Sequence, residues 1–193
     1  MLSLNSSSSL PSKLPNPNIH VTTHNTSGQA TIKSSGPNDW TFFRDNSVGF
    51  NVVYTTSAFP VSLDNDSDIE SHQKTIQSGT LGLVNPGGTV CRIVDFGPGH
   101  TPLMHRTQSL DYGIVLEGSV EMELDDGSIT VLKRGDIAVQ RGTMHAWKNP
   151  SLTEWARMLF VLQDCQPIIV EGKRLKEDLG EGGTEVPKSG NDD

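Results

Sequence analysis

Between Tyr112 and Val139 short strand-like runs are cut at regular intervals by turn residues, and this punctuation constrains the fold more than any other feature. Ser119-Val120-Glu121-Met122-Glu123-Leu124 alternates with period 2, Asp125-Asp126-Gly127 is a strong hairpin turn, and Ser128 to Leu132 returns as the partner strand. Tyr112 to Leu116 precedes the turn Glu117-Gly118; after Lys133-Arg134-Gly135-Asp136 come the strands Ile137 to Val139 and Met158 to Gln163. Upstream, Val90-Cys91-Arg92-Ile93-Val94-Asp95-Phe96 has a half-buried strand pattern after the turn Asn85-Pro86-Gly87-Gly88, and Phe50 to Thr56 is rich in β-formers. Ile19 to Thr23 and Ala30 to Ile32 read as a hairpin around Asn25 to Gly28. Asp64 to Gln77 is a polar stretch that suits a helical turn or a surface loop. The result is an all-β domain with little helix, and spacing alone leaves sandwich, jelly roll and small barrel open.

Boundaries and partner classes follow from composition. Met1 to Pro17 is rich in Ser, Asn and Pro, and Gly180 to Asp193 is rich in Gly and acids, so residues 1–18 and 180–193 are expected to be disordered around a folded unit at 19–179. The formal charge is −8 and no basic run exceeds Lys173-Arg174, which disfavours nucleic acid and favours a small molecule or a protein as partner. Cys91 and Cys165 are too few to staple a domain of 193 residues, so free thiols in a reducing compartment are expected. The N-terminal segment has no apolar signal core and no stretch suits a membrane span, so a cytoplasmic location is expected. Walker A, dinucleotide, Gly-x-Ser-x-Gly and Cys-x-x-Cys motifs are absent from the sequence.

Of the six histidines, His105 and His145 stand out, since each follows a turn segment and precedes an apolar strand, where barrels place ligands. Arg106 and Arg141 flank them and suit a substrate carboxylate or enolate, or else a structural ion pair. Tyr112 and Trp147 suit a pocket wall or the core, and Gln108 suits a hydrogen bond to substrate or solvent. His20, His24 and His100 are read as non-functional, and His72 as a surface residue.

These segments resemble the paired motifs of the cupin superfamily. His105, Thr107, Asp111 and Gly118 match the first motif, with Thr107 where a second histidine usually stands; Gly135, Gly142, His145 and Asn149 match the second, with Gln140 in place of a proline. The wider match is similar to small single-domain cupins of fungal polyketide tailoring, some described as cupin-domain oxidoreductases. The resemblance implies a jelly-roll-like cupin β-barrel and a divalent metal on His105, Asp111 and His145, two imidazoles and one carboxylate. Fe(II) is favoured by that ligand set, with Mn, Ni or Zn as alternatives. It implies Arg106, Arg141 and Tyr112 as the catalytic candidates and Thr107, Gln108 and Trp147 as pocket residues. The implied function is a metal-dependent enzyme, oxidoreductase in type, tailoring a small oxygenated, polyketide-like substrate in secondary metabolism. A decarboxylase, dehydratase or isomerase would use the same residues; the loss of an imidazole at Thr107 fits a non-catalytic binding protein. A metal-free catalyst would use His105 or His145 as base. A homodimer formed through the N-terminal hairpin is also implied.

Overall fold

The strand Ala156–Asp164 (β11) carries the architecture, because it is paired along its length on both sides. One neighbour is β5 (Thr89–Phe96) and the other is β6 (Ser109–Glu117), both antiparallel to it. The computed structural model describes residues 10–180 and 183–192. Outward from β5 the sheet continues through β4 (Val48–Thr56) to β3 (Trp40–Phe43), and outward from β6 it ends at β9 (Ile137–Arg141). A second sheet of three strands orders β10 (His145–Lys148), β7 (Ser119–Leu124) and β8 (Ile129–Lys133). The hairpins β1–β2 (Ile19–His24, Ala30–Gly36) and β12–β13 (Ile168–Val170, Lys173–Leu175) stand apart as two-stranded sheets.

The period-2 pattern places one apolar face of each main sheet inward. Val94, Val115, Met158 and Phe160 of the larger sheet meet Val120, Leu132 and Trp147 around one core. In place of the expected barrel, two principal sheets pack about a common core, and among the described residues strand pairing closes no cylinder. Edge strands β3 and β9 remain unpaired on their outer sides in the larger sheet. The Asp125-Asp126-Gly127 turn forms as expected, with Gly127 at a φ of +83°.

Three segments depart from the sequence expectation. The polar stretch after Asp64 forms a helix, α1 (Ser67–Ser78), which ends at the left-handed Gly79. His72 of this helix turns inward: its Nδ1 accepts the Thr55 N–H at 3.1 Å, and its ring stacks on Tyr54. The expected disordered tail is instead docked over residues 183–192. Val186 packs on the core, the Ser189 hydroxyl accepts the Val84 N–H at 3.0 Å, and Asn191 bonds Gln108 and Asp164. Residues 10–18 of the expected arm also make contacts, since Asn16 accepts the Trp40 indole N–H and the Pro15 carbonyl accepts from Arg157; residues 1–9 lie outside the described set.

A buried ion pair pins the first of these contacts. Arg157 on β11 donates twice to Asp95 on β5, at 2.5 and 2.8 Å, and its third nitrogen bonds Pro15. The guanidinium also lies 5.1 Å from the Trp40 ring centroid. With both oxygens engaged the pair is satisfied; removing either partner would leave a buried charge, a loss of about 3–5 kcal/mol.

Burial holds the His72 imidazole below its ordinary value of 6.5, and the nitrogen accepting from Thr55 cannot be protonated without breaking that bond. The unfolded chain therefore takes up a proton near pH 6.5 that the folded chain refuses. The stability this histidine contributes is complete above that pH and is lost as the pH falls. Thermal denaturation of wild type and His72→Gln between about pH 7.5 and 5.5 should show a shallower decline in the variant; parallel curves would exclude this role.

Candidate functional site

His105 precedes β6 and His145 opens β10, and the two residues face each other in an isolated antiparallel bridge. Each backbone N–H donates to the other's carbonyl at 2.9 Å. The imidazole rings are brought to a centroid separation of 4.4 Å, and Trp147 stands edge-on to His145 at 5.3 Å. Gly142 allows the preceding turn: its φ is +63°, and a Cβ there would sit 1.9 Å from the Ile168 Cδ1.

Both rings are oriented in the same way. Nδ1 of His105 lies 2.9 Å from the Leu103 carbonyl, and Nδ1 of His145 lies 2.9 Å from the Thr143 carbonyl. A carbonyl can only accept, so each Nδ1 carries the proton and each Nε2 keeps its lone pair. Burial pushes both imidazoles down, and the neighbouring His105 adds to the shift of His145, which reaches about 3. The pair is therefore neutral at physiological pH.

The rings border a cavity of about 110 Å³ whose wall includes Phe50, Phe96, Trp147 and Phe160, with Leu103 at the side of His105. Asp111 lines the same cavity from β6. Its Oδ1 is buried without a hydrogen-bond partner, and desolvation pushes the carboxyl up to about 6 against the opposing pull of Ser109, Arg92 and Thr107. The three implied ligands thus share one cavity. Only the two histidines are in mutual contact, and among the described residues no group of three His, Cys, Asp or Glu side chains is disposed to hold one ion.

The other expected site residues divide between the cavity and its surroundings. Trp147 lines the cavity. Thr107 is buried beside it, accepting the Ser109 hydroxyl at 2.8 Å, and Gln108 is used structurally, donating to the carbonyls of Cys165 and Asn191. Tyr112 is 41% exposed on the outer face of β6, Arg141 is exposed on the edge strand β9, and neither lines the cavity. Arg106 is tied outside it, donating from Nε to the Lys176 carbonyl. Arg106, Arg141 and Tyr112, expected as catalytic residues, thus stand outside the wall of this cavity: period 2 turns Tyr112 away from Asp111, and the two arginines lie near their histidines in sequence without entering the wall.

The cavity instead contains charged groups that sequence reading passed over. Arg92 lines it from β5 and Arg44 from the turn before β4. His100, read from the sequence as non-functional, is buried in its wall, with its nitrogens 3.2 Å from the Gly97 carbonyl and 3.1 Å from that of Trp147. The Arg92 signal was present in the sequence, since it shares the period-2 face of Val90, Val94 and Phe96. Glu185, in the expected tail, also reaches the cavity.

The two sheets, the order of the paired motifs and the facing histidines define a cupin domain, and a family model described as "Cupin domain" matches residues 92–162. The chain belongs to the cupin superfamily. It is 41% identical over 175 residues to "Oryzines biosynthesis cluster protein J" of Aspergillus oryzae, covering 90% of this chain and 97% of that protein. It is 42% identical to "Phomopsin biosynthesis cluster protein D" of Diaporthe leptostromiformis, covering 93% and 95%. Against "Cupin-domain-containing oxidoreductase fogC" of Aspergillus ruber the identity is 39%, over 83% of this chain and 79% of that one.

Imidazole nitrogen NMR on the metal-free protein at neutral pH should show His105 and His145 as Nδ1–H tautomers with unprotonated Nε2. An Nε2–H signal from either ring would contradict the carbonyl clamps.

Proposed function

We propose that this cupin is an enzyme of secondary metabolism that acts on a small, largely apolar, oxygen-bearing substrate of polyketide type. The carrying observation is the neutral His105–His145 pair, whose Nε2 lone pairs are left available beside an apolar cavity. The pathway assignment is supported by the relatives named for biosynthesis clusters, and the oxidoreductase assignment by the relative named as such.

Two imidazole donors, His105 and His145, would hold a divalent ion, Fe(II) first and Mn, Ni or Zn otherwise; Asp111, which lines the same cavity with an unpartnered Oδ1, would have to turn toward them to become the third donor. When bound, the ion would polarise a substrate oxygen as a Lewis acid or, if iron, support dioxygen chemistry. The residues supply the rest. The carbonyls of Leu103 and Thr143 fix both ring orientations through Nδ1–H, the arrangement that strengthens an imidazole as a donor. Trp147 and Phe160, 5.4 Å apart between centroids, limit water beside the reacting end of the substrate.

Elemental analysis after anaerobic reconstitution should give about one equivalent of metal in wild type and none in His145→Ala. Asp111→Asn should weaken uptake by about 10- to 100-fold. Wild type that takes up no metal under any of the four ions would remove the metal-dependent reading.

We also infer pairing with a second copy. The β1–β2 hairpin stands apart from the main sheets with Ile32 56% exposed, and β3 has an open edge. Light scattering at micromolar concentration should report a dimer, and removal of residues 1–36 should shift the mass to that of a monomer; a monomeric full chain would refute the pairing.

A further inference from the structure

Arg92 is a buried cation whose hydrogen-bonding capacity is only partly used. The side chain is 4% exposed, with one terminal nitrogen donating to the carbonyls of Gly82 and Leu83 at 2.7 and 3.0 Å. Its Nε–H is buried without an acceptor. The guanidinium carbon lies 5.2 Å from the Phe50 ring centroid, and Arg92 takes part in no ion pair among the described residues. Holding the Gly82–Leu83 backbone needs one neutral donor; it does not need a permanent charge. A buried guanidinium with an idle donor is unfavourable until an anion completes it. The carboxyl groups bordering the cavity are Asp111 and Glu185; Asp111 attracts the guanidinium electrostatically, but among the described residues neither carboxyl is in ion-pair contact with it, and its Nε–H stays without an acceptor. The neighbouring surfaces are aromatic. Phe50, Phe96 and Phe160 line the same cavity, whose free volume is about 110 Å³.

We propose that Arg92 anchors the carboxylate of a small aromatic or similarly apolar carboxylic acid, which occupies the cavity bordered by the His105–His145 pair. The proposal rests on the reading of this cavity as the substrate site and adds the substrate's charge and size. Nε–H supplies the free donor, the planar guanidinium matches a carboxylate, and the phenylalanines take the ring. Burial pushes the guanidinium down to about 10, so it remains charged at neutral pH. Arg92 acts here as a binding and positioning residue, setting the orientation of the substrate against the imidazoles.

Calorimetric titration at neutral pH with benzoate and with its neutral isostere benzamide tests this, on wild type with and without prior EDTA treatment, and on Arg92→Gln and Arg92→Lys. Wild type should prefer benzoate by about tenfold or more. Arg92→Gln should lose that preference while benzamide binding is retained, and Arg92→Lys, which keeps the charge and loses the fork, should retain part of it. A preference that survives EDTA and disappears in Arg92→Gln supports the anchor whether or not the metal reading stands. A preference abolished by EDTA and unchanged in Arg92→Gln assigns the anion to the ion and overturns the proposal while leaving the metal reading intact. Equal binding of benzoate and benzamide by wild type overturns it without reference to any variant. Should Arg92→Gln fail to fold, the wild-type comparison and Arg92→Lys decide: an undiminished preference in the lysine variant would argue against a guanidinium fork.

Discussion

The reciprocal backbone hydrogen bonds between His105 and His145 are the constraint on which the site depends. They join the segment entering β6 to the segment entering β10, and so tie the larger sheet to the smaller one at the cavity. Facing residues in an antiparallel bridge project to the same side, so two imidazoles must lie together whatever their chemistry prefers. In water two such rings would gain protons near pH 6.5 and repel; here burial holds both neutral against the opposing pull of the Leu103 and Thr143 carbonyls, which fix the position of each Nδ1–H. The backbone thus creates a donor pair, and the dry aromatic wall preserves it.

The strand β5 shows how one sheet can serve both stability and function. Asp95 and Arg92 are three residues apart and therefore project to opposite faces of the strand. On one face Asp95 meets Arg157 with two charge-assisted bonds, and Trp40 and Pro15 cover the pair. That arrangement completes the valence of both partners and leaves nothing for a ligand. On the cavity face Arg92 is equally buried but meets carbonyls, aromatic rings and an idle N–H. Two buried guanidiniums in neighbouring strands therefore carry opposite implications, and the difference lies in their partners, since burial is common to both.

Much of the strand framework was legible in the sequence because short-range causes produce it. Asp125-Asp126-Gly127 turns the β7–β8 hairpin, and period 2 in residues 119–124 sets which face is buried. The histidine pair was legible through motif resemblance, which encodes the topology that spacing alone leaves open. Arg106, Arg141 and Tyr112 lie outside the cavity wall, and for Arg106 and Tyr112 nearness in sequence to His105 and Asp111 says little, because each next side chain of an extended segment faces the other way. The same rule, applied to residues 90–96, would have turned Arg92 toward the core side. Helix α1 was left undecided because its apolar positions are few; what fixes it is tertiary, through His72 against Tyr54 and Thr55.

The C-terminal segment shows where local reading ends. Residues 180–193 have the composition of a solvated tail, and no property of the segment itself predicts burial. Within it, residues 183–192 are held by groups elsewhere in the chain: Ser189 accepts from Val84, Asn191 bonds Gln108 and Asp164, and Asp192 accepts the Glu177 N–H. These contacts engage the buried Val84 N–H, the Gln108 carbonyl and the Glu177 N–H, while Val186 adds apolar contact with the core. Val186 and Glu185 are carried with it to the cavity wall. The cavity is thus bounded by a segment whose sequence does not announce a site, because its partners exist only once β5, β6 and β11 have assembled.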